Sequence, residues 1–276
     1  MVKQVLTIAG SDSTGGAGLE ADLKTFQEFG LYGYAIITSI VTMDASKGWQ
    51  HEVHELDSEL IQKQFASATC GGQIAALKTG MLGNEKNAAT VSKLLTASNV
   101  EKIVIDPVIA CKGTANILQP QVVEMLKNEL IPQAFITTPN LVEAGILSGM
   151  GDLHTVDQMK QAAKIIHELG AKNVVIKGGA RLNHELAIDI FYDGHEFQTL
   201  ALPIISTATN HGAGCTFAAA ITSLLAHDYP VLQAVQVAKT FVNQAIQKGF
   251  FVNPYVGHVW HGAYFHAETR VIQKVL

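Results

Sequence analysis

Short apolar runs separated by stretches of helical periodicity constrain the fold of this chain more than any other feature. The runs from Val5 to Ala9, Ala75 to Thr79, Ile103 to Asp106, Phe135 to Thr138 and Asn173 to Lys177 have the length of buried strands. Between them apolar residues recur at helical spacing, as in Leu19, Leu23, Phe26 and Phe29, or Val156, Met159, Ala163, Ile166 and Leu169. Strands apolar on both faces that alternate with helices predict a parallel sheet covered on both sides. A β-rich stretch from Tyr34 to Thr42 and a helix from about Asp57, with Leu60, Ile61 and Phe65 on its apolar face, extend the pattern. From Leu186 to Leu202 the period changes to alternation around Asp193-Gly194, which predicts an antiparallel hairpin at the sheet edge. Helices over about Ala213 to Ala226 and Val231 to Lys248 complete the regular part. No low-complexity linker or internal repeat interrupts the sequence, so one domain over 1–276 is expected.

Composition excludes several classes of partner. The formal net charge is −5 without a run of Lys and Arg to neutralise a phosphate backbone, so nucleic acid is not an expected partner. Cys70, Cys111 and Cys215 are far apart and lack CxxC spacing, which argues against a disulfide framework or a zinc site and for a reducing compartment. The first residues run into a strand pattern without a cationic leader, and no apolar segment has membrane-spanning length. A cytoplasmic protein with no membrane role is expected. His258, His261 and His266 near the end match no metal-ligand spacing and are assigned a surface or core role.

Two glycine-rich loops each follow a strand or precede a helix. Asn210-His211-Gly212-Ala213-Gly214-Cys215 runs into the helix former Thr216-Phe217-Ala218-Ala219-Ala220. Free amides there would bind an anion, with glycines letting the backbone approach a phosphate; a tight turn before a packed helix accounts for the same residues equally well. The loop from Gly10 to Gly18 matches neither the Walker A spacing nor the dinucleotide fingerprint, which removes the main support for an oxidoreductase. Asp106 and Glu143 stand at or just beyond strand ends, where open α/β sheets bind ligands. Together, through water, they would hold Mg²⁺ on nucleotide phosphates, although a lone acid at a strand end is more often a helix cap.

These segments resemble a known family when taken together. Leu6 to Asp12 with Gly15-Gly16-Ala17-Gly18 and Ala21-Asp22-Leu23-Lys24-Thr25-Phe26 is similar to the opening of the hydroxymethylpyrimidine kinase and bacterial pyridoxal kinase group of the ribokinase-like superfamily. Lys78-Thr79-Gly80-Met81-Leu82, Asp106-Pro107-Val108, Thr138 to Ala144, Val175 to Gly179 and His211 to Thr216 follow in the family's order. The resemblance implies a three-layer α/β/α sandwich with a mostly parallel central sheet and a small β flap. It also implies an ATP- and Mg²⁺-dependent kinase for a small-molecule substrate, assembled as a homodimer. In it Ala17, Asp22, Met43, Met81 and Val108 would line the acceptor pocket, with Asp22 bonding the polar edge of the ring. Lys78, Asn140, Lys177, Gly178, Gly179, Asn210 and Gly212 would face ATP, and Asp106 and Glu143 would organise Mg²⁺. Gly212, Ala213, Gly214 and Cys215 would form the anion hole that stabilises the transferring phosphoryl group.

Two cysteines and a methionine bear on chemistry and substrate. The helix N-terminus is expected to lower the pKa of Cys215 toward neutrality, making it a base, while bound ATP opposes a thiolate; a positioning group or a buried inert thiol are the other readings. Met43 stands where hydroxymethylpyrimidine kinases carry Gln, and an apolar side chain accepts a methylated pyridine without leaving an amide unpaired. Cys111, after the Asp106 strand, would add reversibly to the aldehyde of pyridoxal as a hemithioacetal, or act as a small apolar lid residue. The expected reaction is phosphorylation of the 5'-hydroxymethyl group of pyridoxal. The alternatives are hydroxymethylpyrimidine/phosphomethylpyrimidine phosphorylation and, in another class, a non-catalytic pyridoxal phosphate-binding protein.

Overall fold

Alternate residues of the central strands face opposite helical layers. In the computed structural model, which describes residues 2–109, 120–182 and 185–265, strands β1 (Gln4–Asp12), β2 (Tyr32–Asp44), β4 (Ile74–Thr79), β5 (Ile103–Ile105), β6 (Ile136–Thr137) and β7 (Val174–Lys177) run parallel. Strand β3 (Gln50–Glu55) adds antiparallel to β2, and the hairpin β8 (Leu186–Tyr192) and β9 (Phe197–Pro203) adds antiparallel to β7. The sheet order is β3-β2-β1-β4-β5-β6-β7-β8-β9.

Leu77, Ile103 and Ile105 point to one face and pack against α2 (Ser58–Thr69), α3 (Glu85–Ala97), α4 (Pro120–Met125), α5 (Leu141–Ser148) and α6 (Val156–Glu168). Ala76, Val104 and Val175 point to the other, beneath α1 (Gly18–Glu28), α7 (Ala213–Ala226) and α8 (Val231–Gln247). Ala218, Ala219 and Ala220 are fully buried, and their small side chains let α7 lie against the middle strands. The architecture is the expected three-layer α/β/α sandwich. The helix expected from Asp57 starts where the Asp57 carboxylate accepts from the Glu59 amide.

The hairpin and both C-terminal helices lie where the periodicity predicts them. The sequence reading carries no expectation for β3 or α3. β3 is a polar edge strand, four of its six residues exposed, so it lacks the apolar run that marks a buried strand. In α3 the buried stripe includes Asn87 and Ser92, which dilutes the apolar period. β2 is long because it runs past its pairing with β1, which ends at Val41, and from Ser39 to Asp44 pairs with β3 as a small flap. A second small sheet, β10 (Phe250–Phe251) with β11 (Gly257–His258), brings His258 beside the N-terminal glycine loop. No helix among the described residues is long and apolar enough to cross a membrane.

Candidate active site

The C-terminal ends of β1, β4, β5, β6 and β7 open into a cavity of about 480 Å³, the position at which open α/β sheets bind ligands. One wall is the start of α7. Gly212, its N-cap, has φ +85°, and a Cβ there would lie 1.8 Å from the carbonyl oxygen of Gly16. Only glycine permits that conformation and that approach. Ala213, Gly214 and Cys215 form the first turn, whose amides a helix leaves without intrahelical acceptors; that of Ala213 donates to the Asn210 carbonyl at 3.3 Å, and no acidic residue offsets the dipole there.

Two lysines bring positive charge to this turn. Lys177, the last residue of β7, lies close enough that a Cβ on Gly214 would be 3.4 Å from its Nζ. Its ammonium donates to Asp106 Oδ1 at 3.1 Å, and the Thr138 hydroxyl donates to the same oxygen at 2.9 Å. Burial works against the Lys177 charge, but Asp106, Glu143 and Cys215 outweigh it and raise its pKa. Lys78 lies on the cavity floor, fully buried, and donates to Asp22 Oδ2 at 2.9 Å. Burial again opposes its charge, and Asp22, Cys215 and Asp106 hold it protonated.

The two expected metal ligands share the cavity. Glu143 is the third residue of α5 and accepts from the Asn140 amide at 2.8 Å, while Asn140 Oδ1 accepts from the amides of Val142 and Glu143. The capping box therefore aims both side chains into the site. Burial and, secondarily, Asp106 push the Glu143 carboxyl up to about 7, against the pull of Lys177 and the amides of Asn140 and Ile109. Two hard oxygen donors in one cavity with the start of α7 suit Mg²⁺, which takes one or two carboxylates and completes its shell with phosphate and water.

A second cavity of about 400 Å³ adjoins the first and shares Asn140, Lys177, Asn210, Ala213 and Gly214 with it. Gly178 and Gly179 line only this one, together with Phe217, Val242 and Ile246 from α7 and α8. Of the expected pocket residues, Ala17, Met81 and Val108 line the first cavity, as do Asp106, Glu143, Lys78 and the Gly212 to Cys215 turn.

Three expectations need correction or relocation. Asp22 does not line the cavity: it lies fully buried behind Lys78 and accepts from Thr7 Oγ1 at 2.6 Å. Its carboxylate thus compensates a buried ammonium and does not face a ring. Met43 does not line the cavity either. It lies on the flap opposite His51, and it is Val41 and His51 that reach the pocket. The thiol of Cys215 is pushed up to about 12, the reverse of a lowered pKa: burial dominates and Asp106 and Asp22 add to it, against Lys78 and a bond from Gly18. The helix dipole is therefore outweighed by desolvation and by two carboxylates. Cys111 lies outside the described residues, as does His266. His258 and His261 are buried; the first bonds Thr14 and the second bonds Thr216.

Sequence reasoning missed other residues that the fold delivers here. Asp12 and His211 line the first cavity and bond each other, although 199 positions separate them. Asp189 and Lys239 form a buried ion pair at 2.7 Å in the second, and Asp189 also accepts from the Gly178 amide. A signal for that pair existed in Lys239, a charge within the apolar stripe Val235, Ala238, Phe241 and Val242 of α8. A larger hollow of about 1090 Å³, lined by Gln4, Gly72, Lys102 and Asp228, lies at the opposite, N-terminal ends of the strands and contains none of the expected residues.

Known proteins align with this arrangement over almost its whole length. A pyridoxine kinase of Bacillus subtilis is 47% identical over 260 residues, covering 94% of this chain and 96% of that protein. A hydroxymethylpyrimidine/phosphomethylpyrimidine kinase of Haemophilus influenzae is 42% identical over 267 residues, covering 95% and 98%. The structure of the Staphylococcus aureus pyridoxal kinase in complex with AMP-PCP and pyridoxal superposes with a TM-score of 0.91 at 45% identity, covering 97% of this chain and 96% of that one. The phosphomethylpyrimidine kinase family pattern matches residues 12–260, from the end of β1 past β11. With most of its first glycine loop, its capped Asn140 and Glu143 and the glycine turn at the start of α7 inside that span, the chain belongs to the phosphomethylpyrimidine kinase family.

Proposed function

We propose that this protein transfers the γ-phosphoryl group of MgATP to the 5'-hydroxymethyl oxygen of pyridoxal, releasing ADP and pyridoxal 5'-phosphate. The observation that carries the reading is the junction of two cavities at the start of α7: one of about 480 Å³ walled by Val41, Met81 and Val108, the other of about 400 Å³ walled by Gly178, Gly179 and Phe217, with Lys177, Asn140 and Gly214 common to both. Such a junction suits in-line transfer, in which catalysis is mainly positioning and electrostatic stabilisation of the equatorial oxygens. Kinases named for pyridoxine and pyridoxal among the relatives support the same acceptor.

Each group then has a task. The amides of Gly212 to Cys215 and the ammonium of Lys177 meet the charge that develops on the transferring group. Asp106 and Glu143 would hold Mg²⁺, which neutralises phosphate charge when bound. Cys215, with its pKa near 12, meets the acceptor hydroxyl as a neutral thiol. A loose transition state needs little proton removal before the P–O bond to ADP has lengthened, so Cys215 is assigned as a positioning group and not as a preformed base. Val41, Met81, Val108 and Ile109 offer the ring an apolar wall, which favours a methylated pyridine over an aminopyrimidine. Capture of the aldehyde by Cys111, a single kinase domain over 1–276, a homodimeric state and a cytoplasmic location belong to the same proposal.

The test offers MgATP with pyridoxal, pyridoxine or hydroxymethylpyrimidine to the purified chain and follows each phosphate ester. Pyridoxal 5'-phosphate as the fastest product is expected. Faster transfer to the pyrimidine would reassign the acceptor, and no transfer to any of them would overturn the kinase reading.

A further inference from the structure

Asp12 ends β1 as a buried carboxylate with four hydrogen bonds. Its Oδ1 accepts from the amide and hydroxyl of Thr14, at 2.9 and 2.7 Å. Its Oδ2 accepts from the Ala17 amide at 3.0 Å and from His211 Nε2 at 2.8 Å. Burial alone would raise its pKa, but the bonds from His211 and Thr14 outweigh burial and hold it well below the usual carboxylate range. A carboxylate has no proton to give, so Nε2 of His211 carries the hydrogen of the shared bond.

His211 is fixed along its backbone as well. Its amide donates to Gly257 and its carbonyl accepts from Val259, while its ring lies 5.3 Å from that of His258 and 5.9 Å from that of His51. The residue that follows it is Gly212, the N-cap of the anion-binding turn, and the carbonyl it meets is that of Gly16, next to the Ala17 bonded by Asp12. One carboxylate thus reaches both loops: Ala17 bounds the acceptor pocket, and His211 sets the origin of the turn that holds the phosphoryl group.

We propose that Asp12 and His211 are a positioning pair for phosphoryl transfer, clamping the loop that bounds the acceptor pocket to the loop that carries the anion hole. The pair acts through the amides of Gly212 to Cys215 and requires no contact of its own with the reacting atoms. The proposal rests on the kinase reading above. A shift of the turn by about 1 Å relative to the acceptor costs on the order of 10²-fold in rate. Both oxygens of Asp12 are used twice, so Asn at this position, with one oxygen, loses two of the four bonds.

The experiment measures kcat and KM for pyridoxal and ATP, with thermal melting alongside, for His211→Ala, His211→Gln, Asp12→Asn and the double variant Asp12→Asn/His211→Ala. His211→Ala is expected to lower kcat about 10²-fold with both KM values within about threefold of the parent. His211→Gln keeps an N–H donor near the Nε2 position and should stay within about tenfold of the parent. The double variant should lose no more than about twofold beyond the worse single one, since the two residues form one unit.

Unchanged kcat in His211→Ala with only a lower melting temperature would overturn the pair as a functional device. So would a raised KM with kcat intact, a His211→Gln variant as impaired as the alanine, or losses that multiply in the double variant. If His211→Ala does not fold, Asp12→Asn decides alone: lower kcat at constant KM supports the pair, and parental kcat rejects it. The parent chain is assayed first; absence of transfer there would refute the kinase reading, whereas parental turnover with unaffected variants would refute only the pair.

Discussion

Alkylation of Cys215 puts its assignment as a neutral thiol at risk in one experiment. With its pKa near 12, about one Cys215 in 10⁴ is ionised at pH 8, against about a quarter of free cysteine at its ordinary pKa of about 8.5. The thiolate population alone slows reaction with iodoacetamide roughly 2 × 10³-fold. A thiolate of higher pKa is the better nucleophile, and a Brønsted coefficient of about 0.4–0.5 returns about 25- to 60-fold. The net expectation is a rate roughly 40- to 100-fold below that of free cysteine at pH 8. Peptide mass spectrometry after timed quenching reads Cys215 separately, and the exposed Cys70 reports on the reagent in the same sample. Slow reaction by itself would also follow from restricted access, so the pH slope decides. A protonated thiol gains about tenfold in rate per pH unit between 8 and 10, whereas a thiolate formed near neutrality shows a plateau. A plateau, or a rate equal to that of free cysteine, would refute the neutral-thiol assignment and restore Cys215 as a preformed base.

Three further outcomes follow from the same geometry. Glu143 keeps a proton up to about pH 7 in the folded chain, above its ordinary 4.5, so the folded state binds more protons than the unfolded one and stability falls as pH rises through 4.5 to 7, by about 3 kcal/mol at most. Glu143→Gln should therefore flatten urea midpoints measured between pH 5 and 8 and raise the one at pH 8, while lowering Mg²⁺-dependent turnover; a parental pH dependence of stability would contradict the burial argument. Asp22→Ala leaves the buried Lys78 without its carboxylate, which should cost about 3–5 kcal/mol and lower Tm by roughly 5–9 °C for a chain of this size; the double replacement Asp22→Leu/Lys78→Met should regain part of it, and an unchanged Tm in the single variant would show the pair to be dispensable. Cys111→Ala should reduce kcat/KM for pyridoxal several-fold more than for pyridoxine, and equal losses would discard aldehyde capture.

Strand and helix periodicity determined a parallel sheet covered on both faces, because a strand apolar on both faces has no stable place outside a covered sheet. Ile103, Val104 and Ile105 are the simplest case: consecutive apolar residues in sequence, and in the fold alternate contacts to two separate helical layers. The glycine turn before α7 and the strand ending at Lys177 were equally legible, since each is local chemistry written within a few residues, whereas the cap formed by Asn140 and Glu143 emerged with the structure. What lay beyond the sequence was depth and distant pairing. Asp22 and Asp106 are both acids beside apolar stretches, yet one is sealed behind Lys78 and the other faces the cavity. The dipole argument for Cys215 used the helix end but had no access to the burial and the two carboxylates that reverse its sign. His51, on a flap strand too polar to read from its sequence, reaches the pocket beside Val41, while its cross-strand partner Met43 lies further along the flap. Asp12 and His211 meet across 199 residues through the crossing of two loops, and long-range hydrogen bonds of that kind leave no periodic trace, because they are fixed by how the layers pack and not by any spacing along the chain.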